Sequence, residues 1–213
     1  MRSTTVAFAF VVFAGLTPWK IAHCASPSPP TPSVRAERKA EQCELTPVKV
    51  GGTKPAHQCG NIFLAGQPAK DDLAKWKARG VRTVINLRMP DETDWDERAA
   101  VEALGMKYIS VPFGGPDTLT VKKMHSALRA LRTGRFSDQS NGDALEKRKH
   151  NAKVLLHCAS SNRVGAIWYA HRILHEGLEP KAALQEAKAA GLRTMGYLEP
   201  VEKYIERAKR EKL

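Results

Sequence analysis

The 213-residue chain is poor in cysteine, in aromatic residues, in acids relative to bases, and in long apolar runs. Four cysteines are too few for a disulfide-dense miniprotein. Lys and Arg number 34 against 22 acids, a formal net charge of +12, which raises the question of nucleic acid. Yet aromatics are 7%, no basic stripe is interleaved with them, and no nucleic-acid motif is visible, so a nucleic-acid partner is not expected. One apolar run stands out, VAFAFVVFAGL at 6–16, shorter than the roughly 20 residues of a membrane-spanning helix. That excludes a multi-span membrane protein. What is there, 42% hydrophobic and 26% charged residues, is a globular composition.

The run at 6–16 follows Arg2 and precedes the small-residue stretch IAHCAS. This order predicts a signal peptide over 1–24, with Ala22 and Cys24 as the small positions before a cut at Ala25. The alternatives are an uncleaved anchor and lipidation of Cys24, the latter disfavoured by bulky His23. Cleavage removes Arg2 and Lys20 and no acid, taking +12 to +10. The mature protein is then expected in the periplasm or outside the cell, without stable membrane insertion. There the cysteine count becomes informative: Cys43, Cys59 and Cys158 remain, an odd number in an oxidising compartment. Cys43 and Cys59, close in sequence, are expected to pair, the alternative being two free thiols. Cys158 is left to be explained.

Residues 25–60 carry six prolines (Pro27, Pro29, Pro30, Pro32, Pro47 and Pro55) and read as a linker followed by the proposed disulfide loop. From 61 to 213 strand-like and helix-like segments alternate. Strands are predicted at 62–65, 81–87, 108–113 and 153–157. Helices are predicted after Pro68, over 93–104, over 121–131, 164–176 and 180–190, and from 199 onward, with a polar surface insertion at 135–152. Alternation of this kind predicts an α/β domain with a mostly parallel sheet flanked by helices. His171 and His175 are four apart on one helix, but no nearby acid or cysteine is read as completing a metal shell, so no metal or other cofactor is expected.

The chemistry is expected where KVLLH ends and CASSNRVGA begins. Ligands bind beyond the carboxyl ends of parallel strands, and a loop entering a helix presents N–H groups to an anion. The same junction stabilises a thiolate. Cys158 opens this loop as a candidate nucleophile, and Arg163 closes it with a guanidinium that can clamp an oxyanion in two-pronged fashion.

These residues carry a resemblance. VLLHCASSNRVGA resembles the active-site loop of the protein tyrosine and dual-specificity phosphatase superfamily. FLAGQPAKDDLAKW, GVRTVINLR, GMKYISVPF and the HC loop, in that order, resemble a bacterial branch of it, the phosphatase-like domain family named after beta-lactamase-hydrolase-like proteins. The resemblance spans about 61–192. It implies a cysteine-dependent, dual-specificity-like phosphatase fold and a phosphocysteine formed on Cys158. Arg163 and the loop residues Ala159, Ser160, Ser161 and Asn162 would bind the phosphate, and His157 would order the loop. Asp117 would be the general acid. Asp117 could equally cap the helix beginning near Thr120, and Asp91, Glu92 and Asp94 are rival acids. Gln67 and Arg88, each following a strand, are expected to line the pocket, although Arg88 could pair with Glu92 at the surface.

Three departures bear on function. Four residues, not the common five, separate Cys158 from Arg163, a loop length shared with sulfur-transferring rhodaneses. The usual loop glycine is replaced, with Ser161 at that position, where a positive φ would cost about 1 kcal/mol or more. Val164 stands where a Ser or Thr commonly helps the thiolate leave. The expected function is therefore hydrolysis of a phosphate monoester, carried by a small molecule or a phosphoprotein and possible for phosphotyrosine. A sulfurtransferase or persulfide-handling enzyme and a catalytically weak anion-binding module are the alternatives.

Overall fold

Short apolar runs bounded by glycine and proline form the sheet of the computed structural model, which describes residues 43–134 and 152–211. The strands are β1 (Thr46–Pro47), β2 (Ala56–Cys59), β3 (Ile62–Ala65), β4 (Val81–Asn86), β5 (Lys107–Ser110) and β6 (Lys153–His157). They lie in the order β1-β2-β3-β6-β4-β5. β3, β6, β4 and β5 are parallel, while β1, β2 and β3 form an antiparallel edge. The helices are α1 (Asp72–Ala78), α2 (Glu97–Ala103), α3 (Val121–Thr133), α4 (Asn162–Glu176), α5 (Pro180–Ala189) and α6 (Leu198–Glu211). Among the described residues no helix is long and apolar enough to cross a membrane.

Strand side chains alternate between faces, and the two cores follow that alternation. Ile62, Leu64, Ile85, Val154 and Leu156 face one core, shared with α3, α4, α5 and α6. Phe63, Ala65, Val84 and Leu155 face the other, covered by Leu73 and Trp76 of α1 and Val101 of α2. β6 is central and covered on both faces, which explains its unbroken VLL run. α4 is buried from Arg163 to Ile173, so it carries the loop that begins at Cys158 into the core. Gly165 makes this possible: a Cβ there would lie 2.6 Å from the Leu192 nitrogen and 2.7 Å from the Ala187 carbonyl.

The expected start of the domain at Asn61 is too late. β1 and β2 belong to the sheet, and β2 pairs with β3 from Ala56↔Ala65 to Cys59↔Ile62. The prolines concealed this, because Pro47 sits on an edge strand where a missing N–H is tolerated. Cys43 and Cys59 form the expected disulfide, with Cα atoms 5.3 Å apart. It lies against α4, where buried Arg172 approaches both sulfurs at 3.8 and 3.9 Å. Arg172 also donates to Glu176, and to Glu186 at 2.7 Å. His171 is buried, stacked on Trp168, with Nε2 3.0 Å from Glu176.

Other boundaries move by a few residues. α2 begins at Glu97, not Thr93, because the Asp96 carboxylate accepts from the Ala99 N–H and Pro90–Glu92 forms a separate 3-10 turn. β5 ends at Ser110, although Val111 and Phe113 still donate to the Asn86 and Leu87 carbonyls on either side of donor-less Pro112. The predicted signal peptide, the linker up to residue 42 and the surface insertion at 135–151 lie outside the described residues.

Candidate active site

Three parallel strands deliver their carboxyl ends to one place. The Cys158 N–H donates to the Ala65 carbonyl at the end of β3, and the His157 carbonyl accepts from Leu87 after β4. The Ala159 carbonyl accepts from the Gln67 N–H at 3.1 Å. The loop is thus pinned on both flanks. Cys158 is 1% exposed and is the free cysteine among the described residues. Among those residues no backbone N–H from Ala159 to Arg163 donates to a protein acceptor. Those of Asn162 and Arg163 are orphan donors of the α4 N-terminus, and those of Ala159, Ser160 and Ser161 belong to the loop between Cys158 and that helix.

Ser161 turns the loop into α4 with φ +65°, the left-handed conformation expected for the position that glycine usually holds. Its side chain is fully buried and its hydroxyl has no partner among the described residues. Gly191, at φ +122°, closes on it from the α5 side, where an added Cβ would meet the Ser161 Cβ at 2.8 Å. Asn162 does not present its side chain to a phosphate. Its Oδ1 accepts from the Arg193 and Thr194 N–H groups at 2.8 and 3.1 Å, and its Nδ2 donates to Thr194 Oγ1 at 2.9 Å. The expectation of a phosphate-binding Asn162 therefore narrows to its backbone N–H.

Arg163 sits at the first turn of α4 and is 7% exposed. One Nη1 donates to the Phe113 carbonyl at 2.8 Å and the Leu87 carbonyl at 3.2 Å. Glu92 grips the guanidinium fork, with Nη1···Oε1 2.6 Å and Nη2···Oε2 2.5 Å. Burial works against the Arg163 charge, but Glu92 and then Cys158 outweigh it and hold the guanidinium above its usual range. In return the Arg163 hydrogen bond, aided by Met89 N–H and the charge of Arg88, holds Glu92 below the usual carboxylate range. Glu92 therefore stays ionised and is a poor proton donor, so as a rival acid it is replaced by a role in fixing Arg163.

Asp117 lies in the 3-10 turn Pro116–Thr118 and is exposed, as are Asp91 and Asp94. It does not cap α3, because Thr120 does so by accepting from the Lys123 N–H. Thr118 Oγ1 shapes the loop by accepting from the Gly114 and Gly115 N–H groups. Tyr197, not foreseen from the sequence, stands edge-on to Phe113 and donates to the Gly114 carbonyl at 3.4 Å. Burial raises its phenol, which also feels the charges of Arg163, Cys158, Glu92 and Asp117.

Beneath the loop lies a buried polar network centred on Glu97, which the sequence reading missed. Its carboxyl accepts from Gln67 Nε2 at 2.9 Å and Asn86 Nδ2 at 2.7 Å, and Oε1 lies 3.2 Å from His157 Nε2. Arg88 Nη1 donates to Gln67 Oε1 at 2.6 Å, and its Nε is 3.7 Å from Glu92. Burial pushes Glu97 up to about 7. Burial first, then the nearby Arg88 charge, pushes His157 down to about 3. His157 is therefore neutral around neutral pH, and it lies directly before Cys158 as expected. Gln67 and Arg88 are taken up by this network rather than simply lining a pocket. Arg88 also borders a cleft of about 320 Å³ lined by Met89, Trp95, Arg98 and Tyr108. Nothing in the sequence marked Glu97, since an acid in the first turn of a helix is ordinary.

No model of a known protein family matches the chain, and no curated protein matches it. Solved structures do match. The crystal structure of Tk-PTP in its active form aligns with a TM-score of 0.56 at 22% identity, covering 70% of this chain and 93% of that one. TpbA from P. aeruginosa aligns with a TM-score of 0.55 at 19% identity, over 81% of this chain and 95% of its own. PTPMT1 aligns with a TM-score of 0.57 at 17% identity, over 74% and 98%. TpbA has been solved with pTyr and PTPMT1 with PI(5)P. At these identities the likeness is one of fold, and it shows the α/β architecture of PTP-like cysteine phosphatases expected from the sequence.

Proposed function

We propose that this chain is a cysteine-dependent phosphatase that hydrolyses phosphate monoesters, with phosphotyrosine and phosphorylated small molecules as candidate substrates. One observation carries the reading. Cys158 and a tightly held Arg163 bracket an array of unengaged N–H groups at the end of the central parallel strand. A thiolate inside such a cradle attacks phosphorus, while Arg163 and the N–H groups hold the equatorial oxygens as negative charge builds on them. The P–O bond to the alcohol breaks, and the leaving oxygen takes a proton from Asp117. The Asp117 carboxylate then removes a proton from water, which attacks the phosphocysteine and frees phosphate and the thiolate. The mature enzyme would work after export, in keeping with the Cys43–Cys59 disulfide.

Two features bear on this reading. Val164 is fully buried in the core and offers no hydroxyl to the departing thiolate. The four-residue spacing favours a second reading, a sulfurtransferase in which Cys158 accepts a sulfur atom, although Ala159 stands where rhodaneses commonly carry Arg. The decisive assay offers an aryl phosphate and, separately, thiosulfate with cyanide to the protein and to Cys158→Ser. Phosphate release that the substitution abolishes supports the phosphatase. Thiocyanate formation without phosphate release supports the second reading. For the acid, Asp117→Asn should slow esters with poor leaving groups by roughly ten- to a hundredfold more than esters with good ones. Equal slowing of both would remove Asp117 from that role.

A further inference from the structure

Beside the catalytic loop stands a second arginine, Arg193. It lies after α5, is exposed, and reaches back so that Nη2 donates to Ser160 Oγ at 2.8 Å and to the Ser160 carbonyl at 3.1 Å. Its backbone is fixed just as firmly. The Asn162 side chain accepts from the Arg193 and Thr194 N–H groups, and Gly191 seats the same segment against Ser161. Among the described residues no acid pairs with Arg193, whereas Arg163 is fully matched by Glu92. The charge around the cradle makes this consequential. Arg163 and Glu92 cancel, a Cys158 thiolate adds a negative charge, and an incoming phosphate ester adds more. A guanidinium held on the loop, with no acid partner among the described residues, offsets that repulsion, and the donors it does not use on Ser160 are available to a ligand.

We infer that Arg193 is a specificity residue that binds a second acidic group carried by the substrate beside the scissile phosphate. The inference rests on the phosphatase reading above. The preferred substrate is then a phosphate monoester bearing a neighbouring carboxylate or phosphate, not a neutral or cationic ester. Arg163 and the loop N–H groups take the scissile phosphate, while Arg193 takes the other anion at the mouth.

The test uses esters matched in shape and different in charge: 3- and 4-carboxyphenyl phosphate against the corresponding carbamoylphenyl phosphates. The ratio of kcat/KM for the acid to that for the amide is measured for the parent, Arg193→Gln, Arg193→Lys and Arg193→Glu. Comparing ratios removes the intrinsic reactivity of each ester. The ratio should fall about three- to tenfold in Arg193→Gln, mainly through KM, persist in Arg193→Lys and fall further in Arg193→Glu. The effect should shrink as salt is raised. Hydrolysis of both esters with a ratio that none of the variants moves overturns the assignment of Arg193. Failure of the parent to hydrolyse any of them overturns the phosphatase reading itself, and the proposal with it.

Discussion

Ser161→Gly should stabilise the protein, because the native backbone at 161 suits glycine and not serine. The residue holds φ +65° with its side chain fully buried. A left-handed conformation costs a non-glycine residue about 1–2 kcal/mol. The Ser161 hydroxyl has no hydrogen-bond partner among the described residues, which adds about 1 kcal/mol. Against this gain of about 2–3 kcal/mol stand two losses. Glycine frees the unfolded chain by about 0.4–1 kcal/mol, and the buried Cβ gives up about 0.8 kcal/mol. The balance is about 1 kcal/mol in favour of the variant, a rise in Tm of about 2–4 °C for a domain of this size. Differential scanning calorimetry of the two proteins measures it. An unchanged or lower Tm would refute the argument and imply that the serine makes a contact that outweighs its strain. Gly191→Ala should act in the opposite direction, since its φ is +122° and the new Cβ would strike the Ser161 Cβ.

The Glu97–His157 pair sets a pH dependence. Neutral His157 contributes stability that is present above its unfolded value of 6.5 and is lost as pH falls toward about 3. Protonated Glu97 contributes stability that is present below 4.5 and is lost as pH rises through about 7, so the two slopes oppose each other between 4.5 and 6.5. Glu97→Gln removes only the second slope. Its stability relative to the parent, from urea unfolding, should therefore rise by on the order of 3 kcal/mol between pH 4.5 and 7.5, and a pH-independent difference would contradict the assignment. Glu92→Gln breaks the charged grip on Arg163 and should lower kcat/KM for an aryl phosphate about ten- to a hundredfold; a loss below threefold would show that the Leu87 and Phe113 carbonyls suffice. Replacing both Cys43 and Cys59 with Ser opens a loop closed over a separation of 16 residues. By loop-closure entropy that costs about 3 kcal/mol, a fall in Tm of about 6–12 °C on thermal melting, and a fall under 2 °C would contradict it.

What the sequence disclosed and what it hid divide along physical lines. β6 and β3 were legible to the residue, because a short apolar run covered on both faces has few alternatives. The left-handed turn at Ser161 could be anticipated from the loop pattern, and its φ agrees. β1 and β2 were hidden because Pro47 and the polar pair His57 and Gln58 look like loop, while their pairing is set by the neighbouring strand and the disulfide. The residues that complete the candidate site come from far along the chain. Glu92 reaches Arg163 across 71 positions, and the Arg163 guanidinium also touches the carbonyl of Phe113, 50 positions away. Glu97 reaches Gln67 across 30, and Arg193 reaches Ser160 across 33. No local periodicity encodes such contacts. Glu97 and Arg193 look like ordinary solvated surface until the fold brings them beneath or beside the loop, and Glu92, expected as a rival acid, shows its grip on Arg163 only in the fold. Tyr197 was missed for a similar reason, since its 3-10 turn Met195–Tyr197 carries no pattern of its own.

The most direct test of the central claim is to trap the covalent intermediate. Asp117→Asn is mixed with an aryl phosphate that has a good leaving group, quenched in acid within milliseconds to seconds, digested and examined by mass spectrometry. The account predicts a phosphate adduct on the peptide that carries Cys158, formed at the rate of the initial burst of phenol release and absent from the Cys158→Ser counterpart. Phenol release that persists in Cys158→Ser, or a burst with no adduct on Cys158, would contradict it.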